Sequence, residues 1–223
     1  MPKRGGGGQG LSRRSPRYEP TRRILVLCEG EVTEPEYFRA LRRASVNTQV
    51  EIVIEGCGED PKALVERAAE RKKSSDRVAR ERDEHLWYDE IWCVFDVDDH
   101  ARLPDARQQA RDNGLRLAVS NPCFEIWALL HFQPQTAYLE RDKARNRLKT
   151  HLPDYDKELP FDRLRPGYEE AVRRAEGLDR TCERNGCPGD NPSTGVYVLT
   201  ERIREEGKVA HLRQIREERT RRR

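Results

Sequence analysis

The chain has no stretch approaching the ~20 consecutive apolar residues that cross a bilayer, which excludes a membrane helix and with it a membrane partner. No apolar segment follows the first basic residues, so no secretory signal is expected and the protein is expected to be cytoplasmic. There is no Gly-x4-Gly-Lys-Ser/Thr loop and no dinucleotide fingerprint, so any ATP hydrolysis must come from a partner. A Cys-x2-Cys motif and a spaced His pair are also missing. Cys182 and Cys187 form the one close cysteine pair and lack two further ligands, which argues against zinc. Apolar residues are scarce at 35%, against 37% charged, but they fall in short blocks that can still build a core beneath charged helices.

Net charge is +3, unevenly spread. Residues 1–23 carry +6, residues 201–223 carry +4, and the body between them is acidic at −7. Basic ends suit a polyphosphate partner, and equally suit plain solvated tails. Residues 1–21, with Gly5-Gly6-Gly7-Gly8 and Ser12-Arg13-Arg14-Ser15-Pro16, read as a disordered basic tail, and residues 207–223 as a second basic tail.

Between the tails, residues 22–134 read β-α-β-α-β-α-β-α. The strands are Arg22–Cys28, Val50–Ile54, Ile91–Phe95 and Leu115–Val119; Cys28 and Cys93 fall within them as small hydrophobes. Thr33 reads as the cap of the first helix, with Glu36 closing a capping box and Pro35 in its first turn. Gly114 sits where a helix C-terminus favours glycine, and Cys123–Phe132 reads as a strongly apolar helix. The alternation predicts an α/β fold, a parallel sheet of about four strands flanked by helices. Residues 135–206 read as a helical extension, with helices near 138–150, 167–184 and 193–206.

Chemistry gathers at the strand exits. Behind the unbroken run Ile91–Phe95 come Asp96, Asp98, Asp99 and His100. In extended backbone Asp96 and Asp98 point to one side, where two carboxylates repel unless a cation bridges them. Glu29 leaves the first strand, Glu34 opens the helix behind it, Ser120-Asn121 leave the fourth strand and Glu125 opens the next helix. In a parallel sheet these exits share one edge, and ligands bind there. Scattered acids at strand ends are unremarkable alone, but acids converging on one edge need cations, and hard oxygen donors suit magnesium or manganese. Asn121 before Pro122 also reads simply as a turn, Trp92 and Trp127 as core, and His131 as packed beside Trp127.

Leu27-Cys28-Glu29-Gly30-Glu31-Val32-Thr33-Glu34, Phe95-Asp96-Val97-Asp98-Asp99-His100 and Ser120-Asn121-Pro122-Cys123-Phe124-Glu125-Ile126-Trp127 together resemble the RloB-like family, as does Asn191-Pro192-Ser193-Thr194 near the end. The resemblance covers about residues 22–205. It implies a Toprim-like catalytic core in which Glu29, Asp96 and Asp98 bind magnesium and act on phosphodiesters, with Glu34 as a further acid nearest to the nuclease branch. It also implies a link to phage defence and an ABC-type ATPase partner.

The expected activity is therefore that of a Mg2+- or Mn2+-dependent endonuclease. Asp96 and Asp98 hold one ion; Glu29 shares a second or serves as general base, and Glu34 completes that second site. Asp99, His100, Asn121 and Glu125 are expected as supporting or substrate-contacting residues. Metals read phosphate and not sugar, so DNA and RNA, including tRNA, remain equal as substrates. A different class of reading is a catalytically idle subunit that docks on an ABC-type ATPase. Neither reading fixes whether the chain forms a homo-oligomer. Haloacid-type phosphotransferases and receiver domains fit less well, because the first needs Asp-x-Asp after the first strand and the second needs a Lys after a later one.

Overall fold

In the computed structural model the described residues are 22–45, 50–80, 87–97 and 103–206. Both tails therefore lie outside them, and so do Asp98, Asp99 and His100. The elements run β1 (Arg22–Cys28), α1 (Thr33–Ala44), β2 (Val50–Gly56), α2 (Pro61–Arg80), β3 (Glu90–Asp96), α3 (Leu103–Asp112), β4 (Arg116–Asn121) and α4 (Glu125–Leu130). Then follow α5 (Arg141–His151), α6 (Phe161–Leu164), α7 (Tyr168–Arg184), β5 (Ser193–Thr194) and α8 (residues 196–206).

The protein is a mixed α/β fold built on one sheet in the order β2-β1-β3-β4-β5. The pairs β1–β2, β1–β3 and β3–β4 are parallel. Why the interiors of β1 (residues 24–28) and β3 (residues 91–95) are apolar at every position follows from which face each residue meets. Ile24, Val26 and Cys28 of β1, with Trp92 and Val94 of β3, enter a core shared with Tyr37, Phe38, Phe124, Trp127 and the helices α7 and α8. Leu25 and Leu27, with Ile91, Cys93 and Phe95, enter the opposite core, made with Leu64, Val65 and Ala68 of α2 and Ala106 and Ala110 of α3. A strand covered on both faces has no polar face to alternate with.

Chain order places the functional edge. β2 lies to one side of β1, and the chain then passes over to β3 on the other side. Strand order thus reverses between β1 and β3, the topological switch point at which a crevice opens beyond the carboxyl ends of the strands. Among the described residues no helix is long and apolar enough to cross a membrane.

Three expectations change. The four expected strands are joined by a fifth of two residues. Ser193 and Thr194, expected inside a helix, pair antiparallel with Asn121 and Ser120, and the Ser120 and Thr194 hydroxyls bond at 3.0 Å in a buried setting. A two-residue strand carries no periodicity that a sequence reading can detect. Thr33 is not the cap of α1: it is already helical, Val32 takes the cap position without a side-chain bond, and the Glu36 N–H donates to the Val32 carbonyl. Glu36 turns its carboxylate to Arg39 instead, at 2.7 Å. The apolar helix is also shorter than expected, Glu125–Leu130, because residues 131–133 leave it through turns. Gly114 does take the left-handed conformation, at φ +63°, just past α3.

Candidate active site

At the switch point Glu29 leaves β1 and is held from two sides. Its backbone N–H donates to the Val94 carbonyl at 2.9 Å, and its carboxylate accepts from the Asp96 N–H at 3.0 Å. The exits of β1 and β3 are therefore tied together by the acid itself. Gly30 follows, and a Cβ there would lie 2.2 Å from the Glu34 Oε2, so a larger residue would displace the Glu34 carboxylate from its present place. Glu34 stands in the first turn of α1, where the helix dipole favours an anion, and is only 7% exposed.

Glu29, Glu34, Asp96 and Glu125 come from separate segments of the chain and line one cleft of about 1000 Å³. Burial pushes the Glu34 carboxyl up to about 7, with the Glu125 and Glu29 charges adding to the rise. Asp96, at the end of β3, is likewise raised well above the usual range, by burial first and then by Glu34. One cation answers it directly, since Arg141 Nη2 lies 3.0 Å from Asp96 Oδ2. That guanidinium opposes the rise without cancelling it.

Glu125, in the first turn of α4, has the opposite balance. Burial would raise it, yet hydrogen bonds from the Cys123 thiol, its own backbone and Arg145 bring it below the usual range. Arg145 Nε donates to Glu125 Oε1 at 2.9 Å and the Tyr155 hydroxyl donates to the same oxygen at 3.0 Å.

The cationic partners of Asp96 and Glu125 come from α5, for which residue order alone suggested no role. Arg141, Arg145 and Lys149 recur every fourth residue and all line the cleft. That spacing was visible in the sequence; what it faced was not. Asn191 helps fix α5 in place. Its side chain accepts from the Leu139 N–H at 2.9 Å and donates to the Leu139 carbonyl at 2.8 Å, clamping the segment that leads into the helix.

The other expected residues fall elsewhere. Asn121 donates to the Gly189 carbonyl at 3.0 Å, bracing the loop ahead of β5, and is not among the residues lining the cleft. His131 is buried against Trp127, ring centres 4.7 Å apart, and burial lowers its pKa to about 4. Trp92 and Trp127 are buried in the core.

Among the described residues no group of three or more His, Cys, Asp or Glu is placed so that it could hold a metal ion as it stands. The donor chemistry nevertheless suits one. Glu34 and Asp96 are hard oxygen donors whose ionisation is opposed by burial and by neighbouring carboxylates, and a hard divalent cation removes both penalties.

Fold and cleft together define an α/β protein with an acid-lined crevice at the switch point of a mostly parallel sheet. The family described as RloB-like protein matches residues 24–203, a span holding every acid named above, and the chain belongs to that family. No curated protein and no solved structure matches it.

Proposed function

We propose that this protein is a metal-dependent endonuclease that hydrolyses phosphodiesters of nucleic acid, and that its role is that of an effector in bacterial anti-phage defence. The observation that carries the reading is the meeting of Glu29, Glu34, Asp96 and Glu125 on one cleft at the carboxyl edge of the sheet, where burial and neighbouring carboxylates raise Glu34 and Asp96.

On this reading Asp96 and Asp98 would hold one Mg2+ or Mn2+, and Glu29 and Glu34 would serve a second or accept a proton from the attacking water. A bound divalent ion supplies charge stabilisation to a phosphoryl oxygen and acidifies bound water. The protein's own part is positioning: the Asp96 N–H fixes the Glu29 carboxylate, Gly30 admits Glu34, and Asn191 holds α5 across the cleft. Arg141, tied to Asp96, makes a second contribution, because it keeps that carboxylate partnered in the protein alone.

The test is hydrolysis of plasmid DNA and of total tRNA in Mg2+ or Mn2+, comparing the wild type with Asp96→Ala/Asp98→Ala. Cleavage that disappears in the double variant supports the site and selects the substrate. If neither substrate is cut, alone or with an ABC-type ATPase partner, the enzyme reading fails and an idle docking subunit becomes the better account.

A further inference from the structure

We propose that the α5 stripe Arg141–Arg145–Lys149 is the track on which the cleft holds the sugar-phosphate backbone of a single nucleic-acid strand. This rests on the nuclease reading above and adds to it the residues that grip the substrate.

The helix is fixed by its apolar side. Ala144 and Leu148 are fully buried, Ala144 against Ile126 and Leu129 of α4, so the adjoining stripe of Arg141, Arg145 and Lys149 is held at the edge of that contact, where it lines the cleft. Residues four apart climb about 6 Å along a helix, close to the step between successive phosphates of an extended strand. Arg141 and Arg145 are planted among the acids by Asp96 and Glu125. Lys149, a turn further on, is exposed and has no anionic partner among the described residues.

Charge across the cleft is divided. The wall from β1–α1 and the β2–α2 connection presents Glu29, Glu34, Glu59 and Asp60, while α5 supplies Arg141, Arg145 and Lys149, with Lys157 beyond it and Asp142 and Asp156 among them. A polyanion entering this space is repelled by the first wall unless cations cover it, and is attracted by the second. A phosphate gripped at Arg141 therefore lies next to the carboxylates assigned to the metal, and the strand leads away along Arg145 and Lys149. The cleft volume is at the upper end of the range for small-ligand sites, room for a few nucleotides of one strand.

The test uses the full chain, Mg2+, and a phosphorothioate-linked single strand, which keeps the backbone charge and resists hydrolysis. Lysine acetylation is read by mass spectrometry with and without the strand. Lys149 should lose reactivity several-fold, whereas Lys143, exposed on the same helix but absent from the cleft wall, should not change. In parallel, Lys149→Gln should reduce the slope of log affinity against log salt by about 0.7 and Arg145→Gln/Lys149→Gln by about 1.4, the release expected per single-strand phosphate contact. Lys143→Gln should leave the slope unchanged. Because Arg145 also pairs with Glu125, the Lys149 variant carries the test if the double variant folds poorly.

Unchanged Lys149 reactivity, or equal effects at Lys143 and Lys149, overturns the track. If Lys149 is protected but an unmodified strand survives uncut in Mg2+, the track stands and the nuclease reading fails. If cleavage proceeds with Lys149 unprotected, the nuclease reading stands and the track fails.

Discussion

Two corners of one cleft treat a buried carboxylate in opposite ways. In the corner built by β1 and α1, Glu34 is 7% exposed and its pKa is driven up to about 7. In the corner built by α4 and α5, Glu125 is 5% exposed and its pKa is brought down. Burial is nearly equal, so burial does not decide the charge. Donors do: Glu125 has the side chains of Arg145, Tyr155 and Cys123 as well as its own backbone. Glu34 has its own backbone N–H but, among the described residues, no side-chain donor of that kind, and it faces Glu125 and Glu29, against which the Arg141 charge weighs less. The α4–α5 corner satisfies its own acid. In the β1–α1 corner burial and neighbouring carboxylates oppose ionisation, and so it is the corner proposed to bind the metal.

The largest effect expected falls on chemistry. Asp96→Asn keeps the shape of the unsatisfied corner while removing its charge, and hydrolysis of the substrate found for the wild type should fall by at least about 10²-fold, the scale of losing a group that stabilises the transition state. Unchanged turnover in that variant would place the chemistry elsewhere.

Next in size is a gain of stability. The Glu34 pKa is raised in the folded state from 4.5 to about 7, so its neutral form is the one folding favours. Its contribution is complete below about pH 4.5 and is lost as pH rises through about 7. By that linkage, ionised Glu34 costs about 3 kcal/mol at pH 8. Glu34→Gln should therefore be more stable than wild type in urea at pH 8, by up to that amount, and no more stable at pH 4. An equal difference at both pH values would remove the contrast between the two corners.

Smaller effects come from the satisfied corner. Arg145→Gln strands a buried acid, but the arginine side chain is 46% exposed and water replaces part of it, so a loss of about 1–2 kcal/mol at neutral pH is expected. The smallest is Tyr155→Phe, which removes one neutral donor from Glu125 and should cost about 1 kcal/mol by chemical denaturation. If either variant stabilised the protein, Glu125 would not be satisfied in the way its hydrogen bonds describe.

Much of this architecture is legible in residue order. Ile24–Cys28 and Ile91–Phe95 announce strands covered on both faces because each is apolar throughout, and both are buried. Gly114 announces the end of α3 because few residues other than glycine take positive φ there. The acids at the strand exits could be placed on one edge because parallel strands share a direction. The rest depends on contacts distant in sequence. β5 is visible only once Ser120 and Thr194 meet, 74 residues apart. Thr33 looks like a cap locally, yet the helix starts one residue earlier than a cap would allow. Arg141, Arg145 and Lys149 showed helical spacing, but Asn191, 52 residues from Leu139, helps bring that face to the cleft. Asn121 lay in the right stretch and faces another loop.

The central proposal is that the β1–α1 corner binds a divalent cation, which would favour the ionised forms of Glu34 and Asp96 that burial opposes. Calorimetric titration of Mn2+ into the full chain at pH 8 and pH 6, alongside Asp96→Asn, tests it most directly. The account predicts binding at pH 8, weaker binding at pH 6 where Glu34 has taken up its proton, and loss of binding in the variant. Absence of binding at pH 8, or binding that Asp96→Asn leaves intact, would contradict it.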